Sequence, residues 1–214
     1  DTGTRIFTLI RTSGPRGALP FTLGWLGNDA GTFAAATTTV TLPLNRPIEL
    51  PVRVAPATAG VHSAILTLDY AGAPGVEFRT AATIVAAQTM PADSFKVVNR
   101  VSIPRPGMTH LYYRVPSGVS ALKVEVSAPK RRPTVAIMRP DTRGVTGIGG
   151  FGAPPPAANQ VYWISDPVPG TWEVRLQDVE DTRTFDWQQA KGDSAVPPTE
   201  ATVTITALGA DLSG

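Results

Sequence analysis

The 214-residue chain carries 19 Lys and Arg against 17 Asp and Glu, a formal net charge of +2, with 42% apolar and 17% charged residues. That balance excludes a disordered polyelectrolyte and offers no broad cationic field for nucleic acid. Cysteine is absent and histidine occurs twice, as His62 and His110, which leaves no disulfide framework, no thiolate nucleophile and little material for a zinc site.

The 20 glycines and 21 prolines are spread along the chain without a fixed period, so collagen is excluded and many turns are expected. No run approaches the ~18 apolar residues that span a bilayer, and no membrane insertion is expected. The chain opens at Asp1 without a basic n-region or an apolar h-region and reads as a piece of a longer polypeptide. Its Asp1-Thr2-Gly3 resembles the catalytic loops of aspartic and subtilisin-like peptidases, but no strand precedes it and no second copy exists to pair the carboxylate, so it reads as a boundary or linker.

Alternation with period two recurs throughout, rich in Thr, Val and aromatic residues, while helical stripes are hard to find, so an all-β chain is expected. A first series of strands is expected at Arg5–Arg11, Pro20–Leu26, Thr37–Leu42, Ile48–Val54, His62–Tyr70 and Glu77–Ala86, separated by Gly, Pro and Asn punctuation. Between Ala86 and Ser94 the alternation fails and Pro91 intervenes, which suggests a domain boundary. A second series is expected at Phe95–Ile103, His110–Val115, Ala121–Ser127, Thr134–Arg139, Gln160–Ser165, Trp172–Gln177 and Ala201–Leu208. Within it, Leu122, Val124 and Val126 alternate with Lys123, Glu125 and Ser127, so one face belongs to a core and the other to water. Two long insertions, 141–158 and 178–198, have the character of functional loops.

Few residues offer chemistry. A Ser-His-Asp triad needs an imidazole within reach of both a hydroxyl and a carboxylate. His62 and His110 each open an expected strand outside any motif that buries a ring beside a carboxylate, so both read as strand-edge or turn residues, and no catalytic residue is expected. The glycines at 144, 147, 149, 150 and 152 are followed by Pro154–Pro156, which forbids the helix that a phosphate-binding loop requires. Asp178, Glu180 and Asp181 offer carboxylate oxygens to calcium, although Arg183 sits among the acidic residues and the spacing fits no EF-hand. Calcium is therefore the one cofactor candidate. Lys130-Arg131-Arg132 reads as a charged hairpin tip. Trp172 alternates with Val174 and Leu176 and belongs to a core, and the adjacent Tyr162 and Trp163 face opposite ways. Trp187, among polar loop residues, is then the one aromatic platform expected for a sugar or surface ligand.

Three segments, PATAGVHSAILTLDYAGAPGVEFRTAATIVAA (56–87), GMTHLYYRVPSGVSALKVEV (107–126) and PGTWEVRLQ (169–177), resemble the non-catalytic C-terminal region of subtilisin-like (S8) serine peptidases of the tripeptidyl-peptidase II type. The resemblance runs in order through most of residues 1–208 and departs at the two insertions. It implies two tandem β-sandwiches, an Ig or fibronectin III-like one at 1–88 and a jelly-roll-like one at 94–214. It also implies that the catalytic residues lie in an upstream domain of the same polypeptide, so that no position here inherits a catalytic role. The matching residues Gly60, His62, Gly75, Val115-Pro116, Gly118, Leu122 and Pro169-Gly170-Trp172-Glu173 correspond to turn and core positions. The expected work is to pack on that domain, to support self-association, or to gate substrate in an extracellular or cell-surface serine endo- or tripeptidyl-peptidase. The competing reading is a carbohydrate- or surface-binding module.

Overall fold

The computed structural model describes residues 2–104, 107–130, 133–145, 158–178 and 197–209. They form fifteen β-strands and one short 3-10 turn, with no α-helix among the described residues. The chain divides into two compact units, residues 1–86 and 87–214. It is all-β, built as two tandem sandwiches.

The first unit holds β1 (Gly3–Ile10), β2 (Ala18–Leu26), β3 (Phe33–Ala35), β4 (Thr39–Pro43), β5 (Pro47–Val54), β6 (Gly60–Asp69) and β7 (Val76–Ala86). They lie in two antiparallel sheets, ordered β1-β5-β3 and β4-β2-β6-β7. Alternation sets the faces: Leu50, Val52 and Val54 of β5 and Ala64, Leu66 and Leu68 of β6 turn inward, joining Leu9, Phe21, Phe33 and Leu42 in one core. Each fully buried Leu or Phe contributes about 1.5–3 kcal/mol. Gly24 faces Thr67 across β2 and β6, where a Cβ would come within 2.6 Å of the Thr67 hydroxyl, so only glycine allows that approach.

At the end of β1 the buried Arg11 pins the following loop. Its Nε donates to the Leu42 carbonyl at 3.0 Å, and its terminal nitrogens donate to Ser13 at 3.0 Å, Pro15 at 2.9 Å and Gly17. Five fixed donors on a planar group suit this ring of backbone carbonyls as no other side chain does.

The second unit holds β8 (Gln88–Thr89), β9 (Lys96–Ile103), β10 (Met108–Val115), β11 (Ala121–Ser127), β12 (Thr134–Met138), β13 (Asn159–Ser165), β14 (Gly170–Gln177) and β15 (Thr199–Leu208). Its sheets run β12-β14-β10-β8 and β13-β11-β15-β9. The pairing is nested: β9 lies on β15, β10 on β14 and β11 on β13. Trp172, Tyr113, Ile103, Leu122, Ile137, Leu176 and Ile205 fill the space between the sheets, and the Trp172 indole donates to the Val168 carbonyl at 2.9 Å.

One neutral network links the half-buried Gln88 and Asn99 to the buried Tyr113. Asn99 Nδ2 donates to Gln88 Oε1 at 2.9 Å and to the Tyr113 hydroxyl at 2.7 Å, and Gln88 Nε2 donates back to Asn99 Oδ1 at 3.1 Å. The stretch 86–94, whose lost alternation suggests a boundary, supplies β8, which pairs parallel with β10, and Met90, which is buried in the second core. Two strands escape a reading by alternation, β3 with three residues and β8 with two, because so few residues carry no visible period.

Candidate functional site

Both histidines depart from the expectation that neither sits beside a carboxylate. His62 turns inward from β6, between the outward Val61 and Ser63, and is 4% exposed. Its Nδ1 faces Asp29 Oδ2 at 2.9 Å and its Nε2 faces the Thr58 carbonyl at 2.8 Å. Asp29 opens the 3-10 turn 29–31, which Asn28 steadies by donating to the Phe33 carbonyl at 2.7 Å and accepting from the Phe33 amide at 2.9 Å. A carbonyl and an ionised carboxylate can only accept, so this geometry calls for a proton on both ring nitrogens. Burial works against that charge, but the Thr58 hydrogen bond and the Asp29 carboxylate outweigh it and raise the pKa above its usual value.

His110 lies exposed on the outer face of β10, with Nδ1 on Glu173 Oε1 at 2.6 Å and its ring stacked on Tyr112 at 6.5 Å. The Tyr112 hydroxyl is pushed up by burial and by the Glu173 charge. Sequence reasoning missed both pairs because Asp29 and Glu173 stand 33 and 63 residues from their partners, and only the 3-10 turn beside β6 in the one case and the β10–β14 register in the other bring them together.

A catalytic base needs a ring nitrogen facing a hydroxyl. Both nitrogens of His62 are committed to acceptors, and no Ser or Thr hydroxyl among the described residues bonds either imidazole.

Of the calcium candidates, Asp178 is buried and accepts a hydrogen bond from the Thr199 hydroxyl. Glu180 and Asp181 lie outside the described residues, and among the described residues no group of three or more His, Asp or Glu is placed to hold a metal ion.

Trp187 also lies outside the described residues. The expectation that it is the one aromatic platform needs correction, because Trp163 is 60% exposed on the outer face of β13. Lys123 Nζ lies 5.3 Å from the centre of the Trp163 ring and is held by Glu125 at 2.8 Å. Tyr162 turns the other way and packs on the core, as adjacent strand residues must. Trp172 is core.

The largest unexplained feature of the first unit is the outer face of β2, β6 and β7. Leu26, Ile65 and Ala81 stand opposite one another across the three strands, and Val61 faces Val85 two rows away, beyond the hydroxyl pair of Ser63 and Thr83. Leu26 is 51% and Val61 52% exposed, where alternation normally places polar residues. No helix among the described residues is long and apolar enough to cross a membrane.

Residues 3–86 match the family described as "Ig-like domain in actinomycete serine proteases". No curated protein sequence matches the chain. Among solved structures, tripeptidyl peptidase 2 (TPP II) superposes with a TM-score of 0.59 at 12% identity over 96% of this chain, which spans 18% of the length of that protein. The secreted serine protease VesC from Vibrio cholerae covers 97% of this chain and 47% of its own, at 10% identity and a TM-score of 0.44.

Proposed function

Proceeding from a first unit that belongs with the Ig-like domains of actinomycete serine proteases, we propose that the chain is a non-catalytic accessory region of a secreted, subtilisin-like (S8) serine peptidase. The family match carries this reading, because such Ig-like domains are described within serine proteases. The nested strand pairing of the second unit supports a jelly-roll-like sandwich after the Ig-like one, the tandem order of the tripeptidyl-peptidase II type. The commitment of both His62 nitrogens to acceptors supports a structural rather than a catalytic role for that residue.

The physical job is to pack on an upstream catalytic domain of the same polypeptide. The exposed apolar pairs Leu26–Ile65 and Val61–Val85, on either side of the Ser63–Thr83 row, offer that domain apolar surface whose burial is favourable at about 25 cal/mol per Å². A second reading, a glycan- or surface-binding module, rests on the exposed Trp163 with its hydrogen-bonding neighbours on a flat sheet face.

The test is to capture the native species with an antibody to this chain, size it, and treat it with a serine-directed fluorophosphonate. The expected result is a labelled species well above 22.5 kDa. An unlabelled species near 22.5 kDa overturns the peptidase reading and turns attention to Trp163.

A further inference from the structure

Every sheet that does not close has two edges, and the edges of this protein are unequally protected. β3, β4, β8 and β12 are short, with three, five, two and five residues. β1 carries Arg5, β9 carries Lys96 and Arg100, and β13 has seven residues. Short length and inserted charge are the usual devices that keep a strand from recruiting another.

β7 is long, and only its N-terminal end carries such a device. It is the longest strand among the described residues, eleven residues, at the edge of the β4-β2-β6-β7 sheet. Among the described residues only β6 pairs with it. It has no Pro or Lys, and its charges, Glu77 and Arg79, sit at its N-terminal end. The irregularity in its pairing lies there too, opposite Leu68 and Asp69. The remaining stretch, Thr80 to Ala86, is uncharged and holds the β-branched Thr80, Thr83, Ile84 and Val85 among three alanines. Alternate backbone N–H and C=O groups of β7 therefore point away from β6 with no strand to meet them.

We propose that two copies of this chain join edge to edge through β7, antiparallel about a two-fold axis at Ala81. The strand is complementary to itself in this register. All eleven residues pair, from Val76 opposite Ala86 of the second copy to Ala86 opposite Val76. Glu77 then faces Val85 and Arg79 faces Thr83, so no two like charges meet, whereas a register centred on Arg79 or Glu77 opposes identical charges. Phe78, 44% exposed in the single chain, gains Ile84 of the second copy as its cross-strand neighbour. The apolar row Leu26, Ile65, Ala81 meets its symmetry mate at Ala81 and runs unbroken across the joined sheet. Such an isologous contact closes on itself, so it yields a dimer and not a fibre.

This proposal does not depend on the peptidase reading. It is tested on the 214-residue chain by sedimentation from about 1 µM to about 200 µM, a range that brackets weak association. A concentration-dependent dimer is expected. Ala81 is exposed, so Ala81→Lys and Ala81→Glu leave the fold intact, which circular dichroism checks, while each sets two like charges against each other on the axis. Each variant alone should associate about tenfold more weakly or worse, and an equimolar mixture of the two should recover the dimer. A wild-type chain that stays monomeric throughout overturns the proposal and leaves the edge to another partner or to none. Variants that dimerise like the wild type, or a mixture that stays monomeric, overturn it as well.

Discussion

The two sandwiches hold their internal polar groups with different chemistry. The first commits charge: the Arg11 guanidinium inside a ring of carbonyls, and the His62 ring between Asp29 and Thr58. The second commits mostly neutral groups, the Trp172 indole on Val168 and the linked Gln88, Asn99 and Tyr113 side chains, beside one buried carboxylate, Asp178, that accepts from the Thr199 hydroxyl. In the first unit these charges tie loops to strands, Arg11 the loop after β1 and His62 the turn at 29–31 and the segment before β6. In the second, the neutral groups sit inside the packed layers. Of these groups the His62 imidazole is the one that answers to pH near neutrality, and the neutral side chains do not. The two halves of one chain should therefore respond differently to acid, base and truncation, and hydrogen exchange by mass spectrometry can follow each half separately.

The largest effect is expected from Trp172→Ala. The side chain is 1% exposed at the centre of the second core, and truncating such a residue costs about 3–5 kcal/mol in transfer and cavity terms. Peptides of β10 and β14 should lose protection while those of β5 and β6 keep theirs. Loss of protection in both halves would show that the units unfold as one and would erase the comparison.

The His62 clamp comes next. Its folded-state pKa is raised, so its contribution is fully present below about pH 6.5, the unfolded value, and is lost as pH rises through the folded value. Wild-type protection around residues 28–33 and 55–62 should fall on going from acid to alkaline pH, with little change in the second unit. His62→Ala removes two hydrogen bonds at a buried site, costs about 1–3 kcal/mol at low pH and flattens the dependence. A variant that keeps the wild-type slope would assign the titration to another group.

The all-β class was legible because period-two alternation is a local signal: β11 and β14 announce both faces in their own residues. The resemblance in segments such as 169–177 was equally local. Cross-strand partnerships were not. His62 and Asp29, His110 and Glu173, or Trp163 and Lys123 meet only after registers are set, and a single sequence does not print its registers. The same limit hid Trp163 as a surface residue: adjacency to Tyr162 showed that one of the two faces out, and the core chose which. The unprotected edge of β7 likewise needed the sheet order, since an edge and a central strand of the same composition read alike.

The smallest effect is the sharpest test of the neutral half. In Tyr113→Phe the ring still fills the core, and Asn99 Nδ2 loses one of its two acceptors while keeping Gln88. The cost should be about 1 kcal/mol, the net worth of one hydrogen bond. Burial pushes the Tyr113 hydroxyl up to about 12, so it stays neutral throughout the range in which His62 titrates. The loss should therefore be the same at either end of that range, read as faster exchange around residues 88–99. A cost that grew with pH would mean that this network carries charge after all, and the contrast between the two units would fail where it is drawn most finely.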